Sequence, residues 1–307
     1  MPDQIRFTTW TLRYNQMLWL TVDGLEEHWE RARIDAHLDR QKKLIRSTTK
    51  NISAISFSFA PGLYPFDITH QPQMIMDGQT LEGPRPFSDR SWTAHFEKQG
   101  HKWGLVNAAE KERLHKQHGL QGPVDDAFMD SFIMVRPTGN ALNEKIGSWT
   151  AAELAHATNH WRQQFRGLAR VKDDREISEA EIASNNLVLW GDASSNKLLA
   201  RIADQLPIRW DQQNLVLGNK TFAAANHVPV LIYPNPLNPK HYIVLNSGFT
   251  FREYDYLNNA RQVPKLPDYA IVDVNVPSSS RAPGGVVEAG FFGEQWEITP
   301  PSTKPKK

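Results

Sequence analysis

The stretch Asn186-Leu-Val-Leu-Trp-Gly-Asp-Ala-Ser-Ser-Asn196 decides the fold class that the sequence predicts. Its apolar run breaks at Gly-Asp, which is the pattern of a buried strand, a turn and a helix N-terminus. Free backbone N–H groups at such a terminus favour anions or acceptor oxygens. The sequence therefore predicts a ligand-binding pocket at the carboxyl end of the strand. Its candidate residues are Asp192, Ser194, Ser195 and Asn196. Alternatively, Asp192 or Ser194 only caps the helix, which is worth about 1 kcal/mol.

Strands and helices alternate on both sides of this stretch. The sequence pattern predicts strands at 131–135, 187–190, 228–233, 242–245 and 269–274, and helices at 144–166, 195–205 and 251–263. Tyr233-Pro-Asn-Pro-Leu-Asn-Pro239 is interpreted as a rigid turn that joins two of these strands. Because alternating strands and helices favour a parallel sheet, we predict a three-layer α/β domain with a mostly parallel sheet over residues 122–298.

Residues 1–106 have the pattern of a separate β-rich domain. From Ala32 to Asp39, apolar and polar residues alternate as in a half-buried strand. Turn signals recur at a spacing of roughly 8 to 12 residues, which favours an antiparallel, sandwich-like domain. The predicted fold class of the whole chain is therefore α+β. Residues 107–121 are predicted to be a polar linker, and residues 299–307, rich in Pro and Lys, a disordered tail.

The composition excludes several kinds of chemistry. The 307 residues include no Cys, so disulfides, thiol catalysis and thiolate metal sites are excluded. A formal net charge of +1 gives no reason to expect a nucleic-acid partner. No apolar run approaches the roughly 18 residues that span a bilayer, so no membrane span is expected. The sequence contains neither a Gly-x-Ser-x-Gly motif nor a His-Glu-x-x-His motif, and we assign no catalytic residue.

Three carboxylates form an acidic cluster before a predicted core strand: Asp125, Asp126 and Asp130. Clustered carboxylates bind Ca²⁺ or act as acid and base. They also cap helices, and here a helix after Pro123 is the alternative. Hydrolysis of the glycosidase type needs two opposed carboxylates on separate elements, which a contiguous cluster does not provide.

Glu153, His156 and His160 share one face of the predicted helix at 144–166. Two His four residues apart can hold a divalent metal ion, and the Glu could join them. A metal site would need a further ligand from elsewhere, and no second dense cluster is evident in the sequence. We therefore interpret the face as the polar boundary of an amphipathic helix, and predict neither a metal nor a cofactor.

A second strand-to-helix junction supplies the remaining candidate residues: Asn246, Arg252 and Tyr254. Its layout is similar to that of the 186–196 junction, so the two could face a common crevice. Arg252 with Tyr254 could hold a carboxylate or contact another domain. Interface use is favoured, because Tyr and Arg are enriched at protein contacts.

Five stretches in a fixed order carry a family resemblance. They are Phe7-Thr-Thr-Trp-Thr-Leu-Arg-Tyr-Asn15, Gly119-Leu-Gln-Gly-Pro-Val-Asp-Asp-Ala-Phe128, Leu187-Val-Leu-Trp-Gly-Asp192, Pro229-Val-Leu-Ile-Tyr-Pro-Asn-Pro236 and Val244-Leu-Asn-Ser-Gly-Phe-Thr250. Together they resemble the C-terminal region of large prolyl oligopeptidase-like proteins, which are α/β-hydrolases of planctomycete-type bacteria. The likeness covers residues from about 5 to about 298.

In that family, a hydrolase domain with a Ser nucleophile and a catalytic His precedes the region that this chain resembles. No residue of the chain matches a triad position, so no catalytic role is carried over. The resemblance implies an exported or periplasmic parent protein, yet no apolar signal core follows Met1. A truncated or split reading frame is expected, because it would explain why a relative of exported proteins shows no signal core.

Two functions from different classes are therefore expected. The first is a non-catalytic accessory module that binds or positions a hydrolase domain, another protein partner or a substrate. The alternative is a stand-alone hydrolase that uses Asp carboxylates or a bound metal ion.

Overall fold

The computed structural model describes residues 1–106 and 114–298, which fold as two compact units. The described residues of the N-terminal unit are 1–106, 114–121 and 293–295, and those of the C-terminal unit are 122–292 and 296–298. Residues 114–121 of the predicted linker thus belong to the N-terminal unit. The rest of that linker, and the predicted tail at 299–307, lie outside the described residues.

The N-terminal unit is built from two five-stranded sheets. Its strands are β1 (Gln4–Thr9), β2 (Gln16–Met17), β3 (Leu20–Gly24), β4 (Ala32–Asp39), β5 (Leu44–Lys50), β6 (Ala54–Phe59), β7 (Gln73–Met76), β8 (Gln79–Glu82), β9 (Trp92–Gln99) and β10 (Lys102–Val106). One sheet has the order β1-β4-β5-β7-β8 and the other the order β10-β9-β6-β3-β2. Neighbouring strands are antiparallel, except that β5 and β7 are parallel.

The alternating pattern of β4 explains how these sheets share a core. Its apolar residues are buried, while Arg33, Asp35 and His37 are half-buried on the other face. Large rings from the second sheet complete the core: Phe59 packs on Trp92 with ring centroids 5.8 Å apart. Because apolar residues of both sheets join one buried cluster, the unit has the two-layer packing of a sandwich.

The C-terminal unit combines a seven-stranded sheet, a small three-stranded sheet, one long helix and several short helical segments. Its strands are β11 (Phe132–Arg136), β12 (Val171–Asp173), β13 (Asn186–Leu189), β14 (Ile208–Trp210), β15 (Asn214–Leu217), β16 (Lys220–Ala223), β17 (His227–Asn235), β18 (Asn238–Leu245), β19 (Tyr269–Asp273) and β20 (Gly285–Gly290). Its α-helices in the described residues are α1 (Glu144–Phe165), α2 (Glu179–Ser184) and α3 (Lys197–Ile202). The large sheet has the order β12-β11-β13-β18-β17-β19-β20, and β14, β15 and β16 form the small one.

The prediction of a three-layer α/β domain with a mostly parallel sheet is wrong. In the large sheet, β12, β11, β13 and β18 are parallel, but β17, β19 and β20 join it by antiparallel pairing. The reason is the connection between β17 and β18, which leaves only two residues between Asn235 and Asn238. So short a connection can form only a hairpin, and a hairpin pairs antiparallel strands.

The α+β fold class predicted for the whole chain is wrong as well, because strands dominate the described residues. Two of the three α-helices there have only six residues. The helix predicted at 251–263 is replaced by two 3₁₀ turns, Glu253–Leu257 and Asn259–Arg261. The sequence pattern also missed the small sheet and β20.

Helix α1 is the one long helix among the described residues, and it agrees with the helix predicted at 144–166. It ends where Arg166 takes a left-handed conformation, with φ of 59°, and its N–H bonds the carbonyl of Arg162. Its buried residues include Ile146, Leu154 and His160. No helix of residues 1–106 or 114–298 is long and apolar enough to cross a membrane.

Strand β20 forms one edge of the seven-stranded sheet. Val286 and Val287 are each close to half exposed on it, at 44% and 48%. Glu288 follows in the same strand and forms an ion pair with Lys220 of β16. The edge therefore carries a charged pair next to its apolar residues.

Candidate functional site

Asp192 stands at the turn after β13 and is fully buried. Its Oδ1 accepts hydrogen bonds from the N–H groups of Ser194 (3.0 Å) and Ser195 (2.9 Å). Its Oδ2 accepts a bond from the N–H of Leu142 at 2.9 Å. Gly191 precedes it with φ of 95°, and a Cβ at that position would collide with the Ser195 hydroxyl. Both carboxylate oxygens of Asp192 are thus hydrogen-bonded to backbone N–H groups of the chain itself.

Asn196 is the N-cap of α3, and it too is fully buried. Its Oδ1 accepts bonds from the N–H groups of Leu198 (3.0 Å) and Leu199 (3.2 Å), and its Nδ2 donates to the carbonyl of Trp190 at 3.0 Å. Of the four residues predicted to form the ligand pocket, only Ser194 is exposed. The residue that caps helix α3 is therefore Asn196, and not Asp192 or Ser194, which the sequence interpretation considered for that role.

Asn246 joins the two junctions that the sequence expected to face one another. Its Oδ1 accepts a bond from the N–H of Gly191 at 2.8 Å. Its Nδ2 donates to the carbonyls of Gly191 (3.1 Å) and Pro229 (3.3 Å). Because Asn246 is only 2% exposed, it connects the ends of β13, β17 and β18 rather than lining an open crevice.

The carboxylates of the acidic cluster bind different partners. Asp126 is buried and accepts a bond from the Tyr242 hydroxyl at 2.7 Å. Asp125 is half-buried and accepts bonds from the N–H of Thr250 (2.8 Å) and from its hydroxyl. The 3₁₀ turn Val124–Phe128 carries both residues, and its N-cap makes no side-chain hydrogen bond. The exposed Asp130 follows this turn, so the three carboxylates do not converge.

Arg252 faces helix α1 instead of pairing with Tyr254. Its guanidinium contacts the Glu153 carboxylate at 2.8 and 3.4 Å, and both residues are buried. Its Nε donates to the carbonyl of Ser279 at 2.9 Å. Tyr254, 36% exposed, packs against the guanidinium of Arg281 at 4.0 Å from its ring centroid. The joint carboxylate site considered for Arg252 and Tyr254 is therefore not assembled.

One group of potential metal ligands does converge. His156 and His160 of α1 meet Glu253 of the 3₁₀ turn Glu253–Leu257, and one ligand atom from each lies within 4.8 Å of the others. The His156 Nε2 is 2.6 Å from a carboxylate oxygen of Glu253, and the His160 Nδ1 is 3.5 Å from the same oxygen. The sequence pattern found both His but missed Glu253, which lies 97 residues beyond His156 in the chain.

Burial and charge set the protonation of this group. Burial, together with the neighbouring His156, lowers the pKa of His160 to about 4. For Glu253, burial acts to raise the pKa, but a backbone hydrogen bond and His156 outweigh it, so the pKa is lowered. A neutral imidazole and an ionised carboxylate are the protonation states that bind metal ions.

The N-terminal unit brings together a Ser, a His and an Asp that the sequence pattern did not connect. The Ser56 hydroxyl is hydrogen-bonded to Asp23 and lies 2.6 Å from the His95 Nδ1. Because an ionised carboxylate only accepts, the hydroxyl donates its proton to Asp23. A serine nucleophile needs the opposite arrangement, in which the hydroxyl donates to the imidazole. The cluster therefore holds three neighbouring strands together without activating Ser56.

Replacing Asn246 tests its connecting role. We expect Asn246→Asp to lower the free energy of unfolding by about 2 to 3 kcal/mol, because a carboxylate oxygen would face two buried carbonyls. The control is Asn275→Asp, at an exposed asparagine, which should stay within about 0.5 kcal/mol of the wild type. Urea denaturation measures both. Equal stability of the two variants would contradict the role.

The raised pKa of Asp125 predicts a pH-dependent stability for the C-terminal unit. Burial raises the pKa of its carboxyl to about 6, against the opposing hydrogen bonds from Thr250. Because this folded-state pKa exceeds the ordinary value of 3.8, protonation favours folding, and that contribution is lost as pH rises from about 4 to about 6. The wild type should therefore lose stability relative to Asp125→Asn over this range, by on the order of 2 kcal/mol.

Urea denaturation of both proteins between about pH 4 and about pH 7 measures this difference. Asp130→Asn, at the exposed end of the acidic cluster, is the matched control. A difference between wild type and Asp125→Asn that stays constant or grows with pH would rule out the assignment.

Comparison with known proteins adds no support to the candidate sites. No family model matches the chain, and searches of curated proteins and of solved structures found no match. The candidate sites accordingly rest on the contacts described above.

Proposed function

We propose that this chain is a non-catalytic module of a prolyl oligopeptidase-like serine hydrolase, and that it binds or positions a hydrolase domain or its substrate. One support is the resemblance carried by the five stretches quoted above. The observation that carries the proposal is that the polar side chains suited to catalysis already make hydrogen bonds within the chain. Asp192 and Asn246 are hydrogen-bonded to backbone groups of the chain itself, and the Ser56 hydroxyl donates to a carboxylate.

The exposed end of α1 supports a contact function. Phe165 is 52% exposed although its ring lies 4.3 Å from that of Trp161 and 5.3 Å from that of Phe249. Leu168, just beyond the helix, is 79% exposed. Aromatic side chains that are fixed by neighbours and exposed on one side are well suited to contact another protein. We assign the partner-binding surface to Phe165 and Leu168.

The non-catalytic character is tested with the purified chain. We expect no turnover of ester or peptidyl substrates above the uncatalysed rate, and no labelling by a fluorophosphonate reagent that modifies activated serines. The physical reason is that an unactivated serine hydroxyl is a weak nucleophile. An unrelated serine hydrolase serves as the positive control for both measurements.

Turnover that disappears on replacing one Ser or Asp would overturn the proposal. Turnover that a chelator abolishes, and that Glu253→Gln also abolishes, would instead favour the alternative of a hydrolase with a bound metal ion. The convergence of His156, His160 and Glu253 is the observation on which that alternative rests.

The binding function is tested with the isolated hydrolase domain of a prolyl oligopeptidase-like protein. We expect the two proteins to associate in isothermal titration calorimetry, and Phe165→Ala to weaken the association by at least about tenfold, as truncation of a central aromatic residue does. The control is Phe87→Ala, which removes a ring that is 68% exposed in the N-terminal unit. If the two proteins do not associate, the proposed binding function is contradicted. If they associate but both variants bind equally well, the assigned surface is wrong.

A further inference from the structure

We propose that His156, His160 and Glu253 form a binding site for a divalent transition-metal ion of the zinc type. The site lies within the C-terminal unit, between helix α1 and the 3₁₀ turn Glu253–Leu257. It is independent of the proposed function, because it requires no partner and no substrate.

The spacing of the ligand atoms fits such an ion. His156 and His160 are four residues apart, so one helix face presents both rings, with centroids 5.1 Å apart. Around zinc at about 2.0 to 2.1 Å, tetrahedral ligand atoms are roughly 3.3 Å apart. The Glu253 oxygen is 2.6 Å from one imidazole nitrogen and 3.5 Å from another. Small side-chain rotations therefore convert the present hydrogen-bonded arrangement into a coordinating one.

The surroundings hold the two imidazoles in place. The His160 side chain is only 2% exposed and lies against the rings of Phe249 (4.5 Å) and Tyr256 (5.3 Å). The His156 Nδ1, the nitrogen that faces away from Glu253, is 4.0 Å from a carboxylate oxygen of Glu153. That distance is too long for a hydrogen bond, and the partner that fixes the His156 ring is the Glu253 carboxylate, 2.6 Å from Nε2.

The charges around the site favour a cation. Glu153 is neutralised by its buried ion pair with Arg252, so it adds no net charge to the site. The remaining ligands are two imidazoles and the carboxylate of Glu253, a set that suits zinc and its neighbours among the transition metals. Ca²⁺ and Mg²⁺ prefer sites made of oxygen atoms, so this set disfavours them.

The site is open on one side. The side chains of His156 and Glu253 are 26% and 38% exposed, whereas that of His160 is almost completely buried. An ion can therefore reach the three ligands from solvent, and water can complete its coordination. Binding would cross-link a rigid helix to a segment that contains only 3₁₀ turns, so the bound ion stabilises the folded unit.

The test uses the full chain without a polyhistidine tag, freed of metal with a chelator and titrated with Zn²⁺ in a calorimeter. We expect saturable binding of one ion per chain. His156→Gln and Glu253→Gln should each weaken it by at least about tenfold, because each removes one of three ligands. Both residues are partly exposed, so neither replacement leaves a buried cavity. The matched control is His241→Gln, which removes a half-buried imidazole of β18 and should leave the affinity unchanged.

Two further readouts separate coordination from a general effect on folding. Co²⁺ should give the ligand-field absorption of a site with imidazole ligands, and both ligand variants should lose it. Zn²⁺ should raise the Tm of the wild type and of His241→Gln, but not that of the ligand variants. The proposal is overturned if the wild type shows no saturable binding, or if Zn²⁺ binds the ligand variants as tightly as it binds the wild type.

Discussion

The two-sided hydrogen bonding of Asn246 is the interaction on which the architecture of the C-terminal unit depends. The large sheet has a parallel half and an antiparallel half, and β18 is the strand at which they meet. Asn246 follows β18 directly, and its amide binds both backbone groups of Gly191 and the carbonyl of Pro229. Because the amide is buried, losing these bonds within the folded unit would leave its polar atoms and their backbone partners unsatisfied. The segment after β18, which carries Arg252 and Glu253, starts from this fixed point.

The sequence pattern predicted individual elements of this unit better than it predicted how they pair. The strand, turn and helix around 186–196 are present, and helix α1 ends within one residue of its predicted limit. The apolar runs do not indicate strand direction, although the short turn near Pro236 is evident in the sequence. An apolar run looks the same in either direction, so only the length of the connection determines the pairing. The two-residue connection between β17 and β18 requires an antiparallel pair at that place in the sheet.

The candidate sites show the same limit. Helical spacing alone brought out His156 and His160, because residues four apart share a face. Glu253 could not be found in that way, since a 3₁₀ turn replaces the helix predicted for its segment. The neighbours Ser56 and His95 are directly opposite one another in β6 and β9, and no local pattern reveals such a register. The residue types were therefore evident from the sequence, but the distances between residues of different elements were not.

Strand β20 shows how the fold limits its own tendency to aggregate. An edge strand with exposed valines can add the strand of another molecule and so start fibrous growth. The ion pair between Glu288 and Lys220 stands beside Val286 and Val287, and any incoming strand would have to desolvate it. Charged gatekeeper residues of this kind suppress edge-to-edge assembly. The pair therefore disfavours the addition of a further strand at this edge, although it lies outside the core.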